Sequence, residues 1–195
     1  MNKVVKMFYD LETTGLEVGK HGIHHISGMI EVDNEIKEKF DFKVRPFPKA
    51  VINEEALRVG GVTEEQIMSY EPMEKVYKKM LMMLSNYVDR FNKHEKIFLV
   101  GFNNARFDDE HLRAWFEQNG DAFFGSCFYG ESLDVRVLAG QYLQNRRSSM
   151  PSFKLPRVAI EVGIEVDENK LHDAEYDIYL TREIYRIVTG LEIEI

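Results

Sequence analysis

Only one cysteine, Cys127, occurs in 195 residues. This excludes an intramolecular disulfide and a cysteine-cluster zinc site, and Cys127 is expected as a small buried hydrophobe. No apolar run approaches the roughly 20 residues of a membrane span, so no membrane partner is expected. Met1-Asn2-Lys3 leads straight into an apolar stretch without a signal-peptide pattern, and a reducing cytoplasm is the expected compartment. No linker, repeat or low-complexity segment divides the chain, which reads as one domain over residues 1–195. Cationic excess is also missing: the net charge is −8, which argues against broad nucleic-acid binding. The exception is a window without acids between Asp134 and Glu161, which holds Arg136, Arg146, Arg147, Lys154 and Arg157. It reads equally as a solvated face and as a patch for a polyanion.

What is present begins with Asp10-Leu11-Glu12-Thr13-Thr14-Gly15-Leu16. The preceding run, Val4-Val5-Lys6-Met7-Phe8-Tyr9, is rich in β-branched and aromatic residues and predicts a buried strand. Strand side chains alternate faces, so Asp10 and Glu12 point the same way. Burying two adjacent carboxylates is costly unless a cation neutralises them, and hard cations such as Mg²⁺ and Mn²⁺ prefer oxygen ligands. Gly15 supplies the conformational freedom for the turn that follows.

Strands at 26–32 and 36–44 read as a hairpin around Asp33-Asn34. His24 and His25 are adjacent, face opposite ways on a strand, and so do not form a shared metal site. Short capped helices are expected from Asn53 and from Thr63. A long amphipathic helix is predicted over 73–91, with Val76, Tyr77, Met80, Leu84, Tyr87, Val88 and Phe91 on its buried stripe. A core strand at 97–100, a helix over 107–118 and a short strand at 133–135 follow. Helices are then expected over 135–143, 154–162 and 173–189. Strand-helix units after a hairpin group imply an α/β fold, a mixed five-stranded sheet flanked by helices.

Two further acidic stretches matter. In Asn104-Ala105-Arg106-Phe107-Asp108-Asp109, helical spacing puts Asp108 on the face of Leu112 and Trp115. Asp109 aligns with Arg113 and is expected at the surface. In His172-Asp173-Ala174-Glu175-Tyr176-Asp177, residues five apart on a helix diverge by about 140°. If Asp177 points into a site from the helix, His172 must reach it from the preceding loop or cap. A histidine with a pKa near 6.5 suits a general base there.

These three motifs, in this order, resemble the DEDD superfamily of 3′-to-5′ exonucleases in its histidine branch. Residues 10–16 match the first motif, Asn104 to Asp108 with Leu112 the second, and His172, Ala174 and Asp177 the third. Within it the sequence resembles the proofreading subunit of bacterial DNA polymerase III and ribonuclease T. Asp173 stands where the tyrosine branch has its tyrosine. Asn103 replaces a histidine found in many relatives, and Thr13 replaces the methionine usual in oligoribonucleases.

The resemblance implies a ribonuclease H-like fold and hydrolysis of the terminal phosphodiester of single-stranded DNA with two divalent cations, Mg²⁺ or Mn²⁺. Asp10 would bridge both ions, and Glu12 and Asp177 would hold the one that activates water. Asp108 would support the other ion beside the leaving oxygen, and His172 would take the proton. Backbone around Thr13, Thr14 and Leu16 would meet the terminal nucleotide near Asn104 and Phe107. Arg146, Arg147, Lys154 and Arg157 are candidates for the strand's backbone. An RNA 3′ end is the alternative substrate, and a non-catalytic module binding nucleic acid or a polymerase the alternative class. With Ile195 soon after the last helix, no long tail for docking a polymerase is expected.

Overall fold

The computed structural model describes residues 3–171 and 173–191. Strand β1 (Val5–Thr13) is the axis of the sheet, with Val5, Met7, Tyr9 and Leu11 packed on one face and Phe8 on the other. It pairs antiparallel with β2 (Ile23–Val32) and parallel with β5 (Ile97–Gly101). β3 (Glu35–Arg45) folds back on β2 through Asp33 and Asn34, which adopt φ of 51° and 72°. Asn and Asp tolerate that left-handed geometry, as this tight hairpin turn demands.

Two short strands, β4 (Glu71–Pro72) and β6 (Leu133–Asp134), complete the order β4-β3-β2-β1-β5-β6. The sheet thus has one strand more than the sequence suggested. The addition is β4, which pairs with Val44 and Arg45. Two residues carry no periodicity, and a proline at a sheet edge forfeits no ladder bond.

Helices cover both faces. Met7, Tyr9 and Leu11 of β1 pack with α3 (Met73–Leu84) and α4 (Asp108–Gln118). Phe8 packs with α5 (Val135–Tyr142), α6 (Leu155–Glu161) and α7 (Ala174–Val188). Trp115, 1 % exposed, anchors the first layer, and truncating such a side chain to Ala costs about 3–5 kcal/mol. Local chemistry starts the helices. Asn53 caps α1 (Glu54–Val59), and Thr63 with Gln66 forms a capping box on α2 (Glu64–Ser69). Asp134 and Asp173 cap α5 and α7.

Helix α3 stops at Leu84, seven residues before the predicted end. Ser85 and Asn86 follow, residues that compete with the helix for backbone hydrogen bonds, and Asp89 Oδ1 accepts from the Phe91 amide in a local turn. Val88 stays in the core, but Phe91 is 93 % exposed, which corrects its place in the buried stripe. Cys127 is buried and free, as expected. No helix among the described residues is long and apolar enough to cross a membrane.

Candidate active site

β1 and β5 are parallel, as are β5 and β6, so their carboxyl ends open at one edge of the sheet. Ligands of open α/β sheets bind at such ends. Asp10 and Glu12 lie on the last turns of β1's pleat, on the same face as Phe8 and half-buried. Opposite them on β2 stand Ser27 and His25. A register shift between Glu12 and Thr13 twists the strand end there, as bulges beside functional sites do.

Asp108 arrives from the end of β5. Asn103 turns the chain with φ 69°, a single helical turn covers Asn104–Arg106, and Asp108 opens α4. Asp177 comes from the first turn of α7, behind its cap Asp173.

Electrostatics tie these groups together. Burial, then the charges of Glu12 and Asp177, push the Asp10 carboxyl up to about 7. Burial and the charge of Asp10 push Asp108 up to about 8. The Leu11 backbone N–H hydrogen-bonds toward both carboxylates and offsets part of each shift. Four carboxylates from β1, α4 and α7 therefore share one region of low polarity and one sign of charge. Among the described residues, no three His, Cys, Asp or Glu side chains already close into a metal cage. The donor chemistry nevertheless fits a hard divalent cation, because repulsion between ionised oxygens is what such an ion relieves.

Asp109 is not the solvated residue that helical spacing suggested. It is half-buried, accepts a short hydrogen bond from Tyr9 Oη, and accepts from Asn104 Nδ2 at 3.0 Å. Burial and the charges of Asp109 and Asp108 hold the Tyr9 hydroxyl well above its usual range. Asn104 is 1 % exposed, so its side chain fixes the α4 start rather than facing solvent. The partner that overrides the i,i+4 pattern lies 100 residues earlier in sequence.

The turn after β1 is tightly tied. Thr14 Oγ1 donates to Val51 O at 2.7 Å, the Thr14 amide to Gly22 O at 2.8 Å, and Asn53 N to Thr14 O at 2.8 Å. Thr14 is fully buried and holds the loop together. At Gly15, φ is 156° and a Cβ would lie 2.3 Å from His21 Cδ2, so space as well as conformation demands glycine. Beside this turn is a cavity of about 300 Å³ lined by Thr13, Leu16, Ala56, Val59 and Phe107. Leu16 projects over it with 79 % exposure. Apolar walls next to convergent carboxylates suit a ligand with one flat apolar end and one charged end.

Arg146 and Arg147 already hold contacts within the chain, and Lys154 is exposed. Arg146 Nη2 donates to Glu161 O at 2.9 Å, with Nη1 3.8 Å from its carboxylate. Arg157 also closes on Glu161. Arg147 lies 4.4 Å over the Phe153 ring, and Lys154 precedes α6 without capping it. Arg146 and Arg147 follow the far end of α5, whose 8 residues span about 12 Å. His172 lies outside the described residues.

A family model described as "Exonuclease" (RNase_T) matches residues 7–185. Among solved structures, the chain is similar to the zinc-bound E. coli exonuclease I–ssDNA complex, with TM-score 0.75 and 20% identity over 97% of this chain. A complex of the same E. coli enzyme with a dT13 oligonucleotide gives TM-score 0.74 and 20% identity over 95% of this chain. The chain spans 41% of each of those longer proteins, and at such identity the likeness shows the fold. No curated protein matches. With the family match running from the core of β1 through the three acidic stretches into α7, the chain belongs to the exonuclease family.

Proposed function

We propose that this chain is a DEDDh-type 3′-to-5′ exonuclease, acting through a single domain over residues 1–195 on the 3′ end of single-stranded DNA. The observation that carries this reading is the meeting of Asp10, Glu12, Asp108 and Asp177, drawn from three elements, beside an apolar cavity. The DNA-bound state of the structurally similar E. coli enzyme supports the choice of substrate.

Two divalent cations, Mg²⁺ or Mn²⁺, held by Asp10, Glu12, Asp108 and Asp177 would supply an activated water and neutralise charge on the phosphate and the leaving oxygen. The chain's own groups do the rest. Leu16 and Phe107 receive the terminal base in the cavity, and the tied Thr13-Thr14 backbone fixes the rim on which it rests. Such positioning converts binding into rate. His172 accepts a proton from the attacking water. The water oxygen bonds to phosphorus, the P–O3′ bond breaks, and a nucleoside 5′-monophosphate leaves. The shortened strand keeps the 3′ oxygen, which takes up a proton.

The test uses 5′-labelled DNA and RNA of equal sequence with Mg²⁺, Mn²⁺ or EDTA, beside Asp10→Ala and His172→Ala. The expected result is a metal-dependent ladder shortening from the 3′ end on DNA, abolished by Asp10→Ala and slowed by His172→Ala. Faster shortening of RNA would move the substrate to RNA. Intact binding without shortening of either would replace the enzyme with a binding module.

A further inference from the structure

Resting on the exonuclease reading, we infer that Arg136 grips the phosphate backbone of the strand as it leaves the site, and that Arg146 and Arg147 do not. A terminal nucleotide seated against Leu16 and Phe107 leaves the rest of the strand two ways across the carboxylates. One runs over β2 and β3 beside the start of α7. The other runs past Asp108 toward the first turn of α5.

Charge separates the two routes. On the first, a trough of about 410 Å³ is lined by His25, Lys39, Asp41, Lys43, Asp173 and Glu175. Lys39 Nζ closes on Glu175 at 2.6 Å, and Lys43 Nζ lies 3.1 Å from His25 Nε2, which itself closes on Asp41. A polyanion there would meet three carboxylates against two lysines, one of which is already paired. On the second route stands Arg136. Its side chain is exposed, and among the described residues its guanidinium makes no ion pair. Instead Nη1 donates to the uncharged Asn103 Oδ1 at 2.8 Å.

That contact orients the cation without neutralising it. The amides of Asn103 and Arg136 both donate to Asp134 Oδ1 at 2.9 Å, so the base of the side chain is fixed too. Asn103 leads directly into Asn104, whose amide holds Asp109, the neighbour of Asp108. The guanidinium is therefore anchored to the loop that presents Asp108, at the carboxyl ends of β5 and β6. A guanidinium has five N–H donors, and Asn103 takes one, which leaves a fork suited to phosphate oxygens. Arg146, by contrast, is turned onto Glu161, and Arg147 onto Phe153.

The test measures binding of 5′-fluorescein oligo(dT) with a cleavage-resistant 3′-terminal phosphorothioate, in Mg²⁺, by anisotropy across a salt series. Arg136→Gln is expected to raise Kd about tenfold and to flatten the log–log salt slope by about 0.7, equally on oligo(dA). Arg136→Lys, which keeps the charge, is expected to recover most of the slope. The double variant Arg146→Gln, Arg147→Gln is expected to bind as wild type. An unchanged slope in Arg136→Gln, or loss confined to the double variant, would overturn the inference while a wild-type ladder left the exonuclease reading standing. A wild-type chain that neither binds the oligonucleotide nor shortens an unmodified one would overturn both.

Discussion

β1 carries charge at both ends of one buried face, and the two ends are settled differently. At its start, Lys6 Nζ meets Glu31 Oε1 at 2.9 Å and Asn34 Oδ1 at 2.9 Å. Arg182 Nε meets the other oxygen of Glu31 at 2.7 Å. These three side chains are 5 %, 1 % and 8 % exposed, respectively for Lys6, Glu31 and Arg182. At its end, Asp10 meets Glu12, Asp108 and Asp177, all of one sign. The same two elements supply both ends: β1 gives Lys6 and Asp10, and α7 gives Arg182 and Asp177. Buried charge that is compensated within the chain holds the fold. The burial and like charges that push up the Asp10 and Asp108 carboxyls are a stability cost, and on the proposed reading they mark the end of the strand that takes the ligand.

The sharpest way to break this contrast is to remove one charge from each end. Asp10→Ala is expected to lower the rate on single-stranded DNA by about 10³-fold or more, read from initial rates, while leaving the urea midpoint at or above wild type. Glu31→Ala leaves buried Lys6 without a carboxylate and Arg182 with Glu183 alone among the described residues, and is expected to cost about 3 kcal/mol in urea unfolding, with activity per folded molecule retained. An unstable Asp10→Ala beside a stable Glu31→Ala would reverse the assignment.

A smaller effect comes with pH. Asp10 and Asp108 have folded-state pKa values raised to about 7 and about 8, so the folded chain binds more protons than the unfolded one in this range. Their contribution is present in full below the ordinary carboxylate range and is lost progressively as pH rises from there, completely once it passes 7 to 8. In EDTA, the melting temperature of wild type is expected to fall across that window. Asp10→Asn should flatten the fall, gaining on the order of 2 kcal/mol at pH 8.5. A flat wild-type profile in EDTA would remove the repulsion from the working end. Smallest is Tyr9→Phe, which deletes the Tyr9–Asp109 bond on the opposite face. About 1 kcal/mol of stability is expected to go, measured by urea unfolding.

The proposed working end was legible in the sequence through the resemblance carried by its three acidic stretches together, with local periods supplying only the faces. Asp10 and Glu12 share a face by the period of two, and the helical period separates Asp108 from Asp109. Local logic also set the limit. Asp109 is drawn in by Tyr9, Thr14 by Val51, and Arg136 by Asn103, at separations of 100, 37 and 33 residues, and no periodicity reports such partners. The compensated end was invisible for the same reason, since Glu31 and Arg182 are 151 residues apart. The acid-free window drew attention to Arg146 and Arg147 by composition alone. Glu161, the first acid beyond it, closes on Arg146 and Arg157. β4 escaped because two residues are too short to pattern, and Phe91 because polar Ser85 and Asn86 ended the helix before it.

The most direct measurement is Mn²⁺ binding by isothermal titration on the wild-type chain, on Asp10→Asn and on Glu31→Gln. Saturable binding to wild type and to Glu31→Gln, sharply weakened in Asp10→Asn, is expected if the one-signed end of β1 is built to take cations. No saturable binding to wild type, or binding untouched by Asp10→Asn, would contradict it.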